Sequence, residues 1–259
     1  MPPMYTTQLQ AGLGMIEETF ALLQIWEDGT GTPELNKLAL EQGIFPAMSA
    51  RRVRNVVSEC FAPRLLIDQG RPALLLKNLS STFDRVVLRQ VYFLFTCRAN
   101  EILADFIRDV YWPSYAAGKT EIHREDAVNF VVRSNQDGKM VKLWSESTIK
   151  RVSSYLVGCC ADFGLLEPGL RKTKRQIIPF NIYREVALLL CHQLHFQGLG
   201  DNSIVSHPEW GLFGLERFDV IEQLKSLSND GHFLIQGAGG VVDIGWKYND
   251  MEGLINAIG

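Results

Sequence analysis

Residues 32–64, TPELNKLALEQGIFPAMSARRVRNVVSECFAPR, read as two short helices around a tight connection, the second of which presents arginines. Pro33 suits a first helical position, because its fixed φ is already helical and its missing N–H is not needed there. Thr32 can cap that helix and Gly43 can close it, which predicts a helix over residues 33–42. Ile44, Phe45 and Pro46 cannot continue it, and Ser49 is a good N-cap for a second helix running to Phe61. On a 3.6-residue wheel Val53, Val56, Val57, Cys60 and Phe61 share one face. Arg51, Asn55 and Ser58 centre the other, flanked by Arg52 and Arg54. Burial accounts for the apolar face. A helix-turn-helix accounts for the basic one, since its second helix lies in the DNA major groove with its N-terminal residues toward bases and phosphates. Arg51, Arg52, Arg54 and Asn55 are therefore candidate DNA contacts, and an ordinary solvated basic helix is the alternative.

Charge along the chain supports looking for local patches. The 259 residues carry a formal net charge of −3, which excludes a uniformly basic nucleic-acid binder. Residues 49–98 hold nine bases and three acids, and residues 139–175 hold eight bases and three acids. Residues 1–48, 99–138 and 176–259 are net −5, −3 and −6. Two basic blocks thus stand in an acidic frame.

The second block repeats the logic of the first without repeating its sequence. HREDAVNFVVRSNQDG can form a helix ended by Asp137-Gly138, and Ser145 caps a longer one, ESTIKRVSSYLVGCCADF, closed by Gly164. Ile149, Val152, Leu156, Cys160 and Phe163 form its apolar stripe, with Ser147, Lys150, Arg151 and Ser154 on the other side. Leu165-Leu166, the turn-like EPGLRKTKR and Gln176-Ile177-Ile178 predict a short hairpin tipped by Arg171, Lys172, Lys174 and Arg175. Helix, helix, basic hairpin is the order of a winged helix, whose tip can lie along phosphates. Ser147, Lys150, Arg151, Arg171, Lys172, Lys174 and Arg175 join the candidate DNA contacts; a solvated basic loop is the alternative for the tip.

Elsewhere apolar helical patterns cover residues 12–27, 72–79, 83–98 and 100–111, the last ended by Trp112-Pro113. Ser, Gly and Ala accumulate over residues 113–120, which places a boundary there and divides the chain into 1–118 and 119–259. The acidic last third again reads helix, helix, hairpin, with HFLIQ and VVDIGW flanking Gly237-Ala238-Gly239-Gly240, but its bases are few.

Catalytic and metal chemistry find little support. The glycine run lacks the Lys-Ser/Thr of a phosphate loop and has no helix after it in the required place, so it reads as a hairpin turn. His192 and His195 are three apart on a helix, but no nearby Cys or carboxylate completes a metal site. The five cysteines form no C-x-x-C pair and read as buried, reduced thiols, and Cys159-Cys160, buried without a local cation, read as inert. No signal peptide is expected, and no run approaches the roughly 18 to 20 apolar residues of a bilayer span, so the expected location is the cytoplasm. No cofactor, metal or enzymatic activity is expected.

The stretches YTTQLQAGLGMIEET, SARRVRNVVSECFAPR, WSESTIKRVSSYLVGCCADFGLL and VVDIGW, in that order, resemble the BrxA family, core proteins of bacteriophage-exclusion (BREX) defence systems. The resemblance implies a mainly helical cytoplasmic protein with helix-turn-helix elements that binds double-stranded DNA beside the system's methyltransferase, ATPase and phosphatase-like components. It supplies no catalytic residues. The expectation is a mainly α globular protein with helix-turn-helix or winged-helix-like elements and short β-hairpins. Its expected role is a non-enzymatic DNA-binding accessory with largely sequence-independent phosphate contacts, because lysines and arginines outnumber side chains placed to read base edges. The competing expectation is a protein-interaction adaptor whose basic faces dock acidic partners and never touch nucleic acid.

Overall fold

Ser49 caps the arginine helix as its sequence demands: its hydroxyl accepts a hydrogen bond from the Arg52 N–H at 3.3 Å. The computed structural model describes residues 5–258 apart from 12, 170–172 and 239, and it is mainly α. The chain forms two compact units. The first comprises residues 1–77 and 92–180; the second comprises 78–91 and 181–259. The expected boundary at residues 113–120 falls inside the first.

The first unit opens with α1 (Ile16–Ile25) and α2 (Thr32–Glu41), whose N-cap is Gly31 rather than Thr32 and whose first turn holds Pro33. Gly43 follows with φ +60°, a left-handed conformation that glycine adopts without steric cost. Next, α3 (Ala50–Asn55) runs without a break through a π-helical turn, Val56–Phe61, into α4 (Ala62–Leu65). Val53, Val56, Val57, Cys60 and Phe61 are buried, as the wheel predicts. The expected stop at Phe61 does not occur. After α5 (Arg71–Leu79) and α6 (Arg85–Ala99), α7 (Glu101–Phe106) likewise continues through a π turn, Ile107–Tyr111, into α8 (Trp112–Ala116), past the expected stop at Trp112-Pro113.

The two continuations have one cause. A proline inside an α-helix lacks an N–H and drives its ring into the carbonyl four residues back. Here the residue before each proline bonds five residues back instead, Ala62 N–H to Val57 O and Trp112 N–H to Ile107 O. The widened turn gives each ring room, so Pro63 and Pro113 are carried within continuous helices.

The rest of the first unit is β1 (Glu121–His123), α9 (Arg124–Gln136), α10 (Glu146–Asp162) and β2 (Lys174–Gln176). Ser145 caps α10, accepting from the Thr148 N–H at 3.4 Å. A hairpin follows: Leu166 and Ile177 form an antiparallel bridge, with Glu167 N–H to Gln176 O at 2.9 Å and Ile178 N–H to Leu165 O at 2.9 Å. β1 pairs antiparallel with β2, Glu121 opposite Gln176 and His123 opposite Lys174. The order is therefore helix, strand, helix, helix, hairpin, with the leading strand added to the hairpin's second strand.

One core feature was invisible as a charge count. Arg64 is only 2% exposed and donates to Leu13 O and Gly14 O, each at 2.9 Å, and to Tyr92 Oη at 2.6 Å. Asp162 Oδ2 accepts from the Gly14 N–H at 2.9 Å, and a Cβ on Gly14 would sit 2.8 Å from Asp162 Cβ. Glycine is required there by this close approach. The segment before α1 is thus gripped from two helices.

The second unit holds α11 (Arg184–Phe196), α12 (Asp201–Val205), α13 (Arg217–Ser228), the hairpin β3 (Phe233–Ala238) and β4 (Val241–Trp246), and α14 (Met251–Ile258). Phe233 opposite Trp246 and Ala238 opposite Val241 fix the register, and Gly239 of the glycine run lies outside the described residues. The outer edge of β4 is sealed by α12: Asp201 accepts from Ile244 N–H at 2.9 Å and Trp246 Nε1–H at 3.1 Å, and Asn202 Oδ1 from Val242 N–H at 3.2 Å.

Candidate nucleic-acid interface

The arginine helix of the first block and the whole of the second block lie in the first unit, on α3 and around α10, and both helical regions pack against the turn Gln8–Ala11, while residues 78–91 of the first block, with Arg85 and Arg89, belong to the second unit. On α3, Arg51, Arg54 and Asn55 are exposed. Neither the Arg51 nor the Arg54 side chain has an ion pair or hydrogen bond among the described residues. Arg52 is half-buried, with Nη2 3.7 Å from Met15 Sδ. Ser58 turns toward α2, its Oγ accepting from Asn36 Nδ2 at 3.1 Å, so the open basic face is narrower than the wheel suggests.

Around α10 the cations divide differently. Lys150 pairs with Glu146 one turn earlier, and its hydrogen bond holds the Glu146 carboxyl below the usual carboxylate range. Ser147 Oγ lies 3.0 Å from Ser145 Oγ and belongs to the cap network. Arg151 is exposed and has no ion-pair partner among the described residues. Lys174 donates to Glu121 Oε1 at 2.9 Å across the β1–β2 pair and depresses that carboxyl too. Arg175 turns inward, donating to Glu167 O at 2.8 Å and Gly169 O at 2.6 Å, so it braces the hairpin loop. Arg171 and Lys172 lie outside the described residues.

The wheel also overlooked two bases beside α10. Arg124, at the start of α9, donates to Lys150 O at 3.3 Å. Lys142 is exposed in the segment before Ser145, without an ion pair among the described residues. That segment, KMVKLW, fits no helical or strand period, and its nearness to a strong N-cap was the one available signal.

The chemistry of the other candidates is unreactive. All five cysteines are buried free thiols. Burial pushes the Cys159 thiol up to about 12 and Cys160 well above its ordinary value, which removes the thiolate needed of a nucleophile. His192 is fully buried with Nδ1 2.9 Å from Leu188 O, and burial lowers its pKa to about 4. His195 stacks on Trp246 at 4.1 Å between ring centroids. Among the described residues no group of three His, Cys, Asp or Glu side chains could hold a metal ion, and no helix is long and apolar enough to cross a membrane.

A sequence model of the BrxA family matches residues 3–193. The chain belongs to the BrxA family. Membership implies a role in BREX phage defence. The matched span takes in both basic blocks and ends within α11, so the hairpin of the second unit lies beyond it. No curated protein matches this BrxA-family chain. Among solved structures it is similar to the crystal structure of an uncharacterized protein from Magnetospirillum magneticum, with a TM-score of 0.59 and 16% sequence identity over 75% of this chain and 95% of that one. At that identity the likeness concerns the fold alone.

Proposed function

We propose that the chain is a non-enzymatic accessory of a BREX system that binds double-stranded DNA through its first unit, with largely sequence-independent phosphate contacts. The observation that carries the reading is the pair of serine-capped helices, α3 and α10, each with exposed arginines in its first two turns that have no partner among the described residues: Arg51 and Arg54 on one, Arg151 on the other. The order helix, β1, α9, α10, hairpin is that of a winged helix, in which α10 is the groove-facing helix and Arg151 in its first two turns meets the duplex. Charge is distributed accordingly. The first unit carries twenty bases and eighteen acids, the second six bases and eleven acids.

The acidic second unit suits a different role, contact with other defence components such as the methyltransferase, the ATPase or the phosphatase-like protein. A gel shift of the purified protein on unrelated duplexes across a salt series tests the DNA reading. Binding to all of them with a steep salt dependence is the expected result, and no shift at low salt on any duplex refutes it in favour of the adaptor.

A further inference from the structure

Val141 and Leu143 are 72% and 79% exposed, yet the segment that carries them is fixed at both ends. On one side Met140 is buried and bridges to Tyr5, whose N–H donates to Lys139 O at 2.8 Å. On the other side the Trp144 N–H donates to Asn135 Oδ1 at 2.9 Å, and Asn135 Nδ2 donates to Trp144 O at 3.3 Å. Two large apolar side chains are therefore held out toward solvent on a braced loop, rather than exposed because the loop is slack. They immediately precede the Ser145 cap of α10, with Lys142 between them and Arg151 two turns on.

Single exposed apolar residues need no explanation, but a braced pair among cations does. What covers it must be anionic on its outside and apolar within reach of a Val and a Leu. A duplex major groove has that chemistry, since phosphates line its rim and the thymine C5-methyl is an apolar group on its floor. Continuity with α10 favours DNA over an acidic protein surface.

We infer that Val141 and Leu143 cover thymine methyl groups in the major groove, which gives a preference for thymine on top of the phosphate contacts. This inference rests on the DNA-binding reading above. Its test separates the two. Affinity of the full chain is measured by fluorescence anisotropy on a thymine-rich duplex and on the same duplex with deoxyuridine for thymidine, which removes only the methyl groups. The wild type binds the uridine duplex more weakly, by about fourfold for each methyl covered. V141S/L143S binds both duplexes as the wild type binds the uridine one, with an unchanged melting temperature and an unchanged salt slope. Equal wild-type affinity for the two duplexes overturns the inference while leaving phosphate binding intact, and a double variant weakened equally on both overturns it as well. A wild type that binds neither duplex at low salt removes the DNA-binding reading and this inference with it.

Discussion

The two units repeat an order of elements, helices followed by a hairpin, but the cations of residues 181–258 are used differently from those of the first unit. In the second unit the cations of residues 181–258 are all engaged internally. Arg184 pairs with Asp230, Arg217 bonds Asn202 and Gly240 O, Lys225 pairs with Glu222, and Lys247 reaches Gly231 O. In the first unit Arg51, Arg54, Lys142 and Arg151 have no such partner among the described residues, while Lys150, Lys174 and Arg175 do. A count of bases per segment therefore overstates what a partner can reach. Arginines on one continuous helix show the same division, Arg64 inside and Arg51 outside.

That last contrast predicts the largest effect. Arg64→Ala removes the hydrogen bonds to Leu13 O, Gly14 O and Tyr92 Oη and leaves those two carbonyls without their donor, so it costs about 3–5 kcal/mol of stability, as breaking a buried charged network does. Arg51→Ala changes stability by only about 0.5 kcal/mol. Urea denaturation of both variants measures the gap. Similar midpoints for the two would break the inside–outside distinction.

The second unit has its own sensitive group. His192 is held neutral by burial, with a folded pKa of about 4 against 6.5 for the free side chain. The unfolded chain therefore binds a proton below pH 6.5 that the folded one refuses, and stability falls as pH drops from 6.5 toward 4. The full loss is about 3 kcal/mol, with none above pH 7.5. The groups around the imidazole are Leu188 O, Cys191, His195, His232, Phe196, Phe233, Trp246 and Tyr248, none of them an anion. His192→Phe flattens the difference between pH 7.5 and 5 in denaturation followed by tryptophan fluorescence. An equally steep variant profile would assign the acid sensitivity to carboxylates instead.

For DNA, the free cations set the scale. Arg51→Ala with Arg54→Ala makes the slope of log K against log salt shallower by about 1.8 on every duplex, whereas Arg217→Ala with Lys225→Ala leaves it unchanged. Equal slope changes from the two pairs would erase the distinction between the units.

Much of this was legible before the structure, and the misses have physical causes. Ser49 and Ser145 cap as read, because a serine before an apolar stripe leaves few other uses for its hydroxyl. The helix ends at Phe61 and Trp112 were misplaced because the rule that proline stops a helix ignores a widened turn, which shows only in where Ala62 and Trp112 send their N–H groups. Arg64 was readable in principle. It stands four residues after Cys60 and seven after Val57, on the buried stripe, but counting it as charge hid its place on the wheel. The pairing of Lys174 with Glu121 was not readable, since it depends on a strand register joining residues 53 apart.

Lys174 provides the finest test of the contrast, because its expected effect is nil. Sequence places it with Arg151 as a phosphate contact, yet its ammonium is committed to Glu121, whose carboxyl also accepts from Gln176 Nε2 at 2.5 Å. Arg151→Ala should make the salt slope shallower by about 0.9, the release of one counterion, with affinity falling alike on every sequence. Lys174→Ala should leave the slope where it was. The charge it removes was already balanced, and the β1–β2 backbone pairing does not depend on it. Measuring both slopes on one duplex decides between two placements of the hairpin. If Lys174→Ala matches Arg151→Ala, the pair with Glu121 opens on the duplex and the hairpin lies along the phosphates. If only Arg151→Ala moves the slope, α10 meets the DNA without its neighbouring strand.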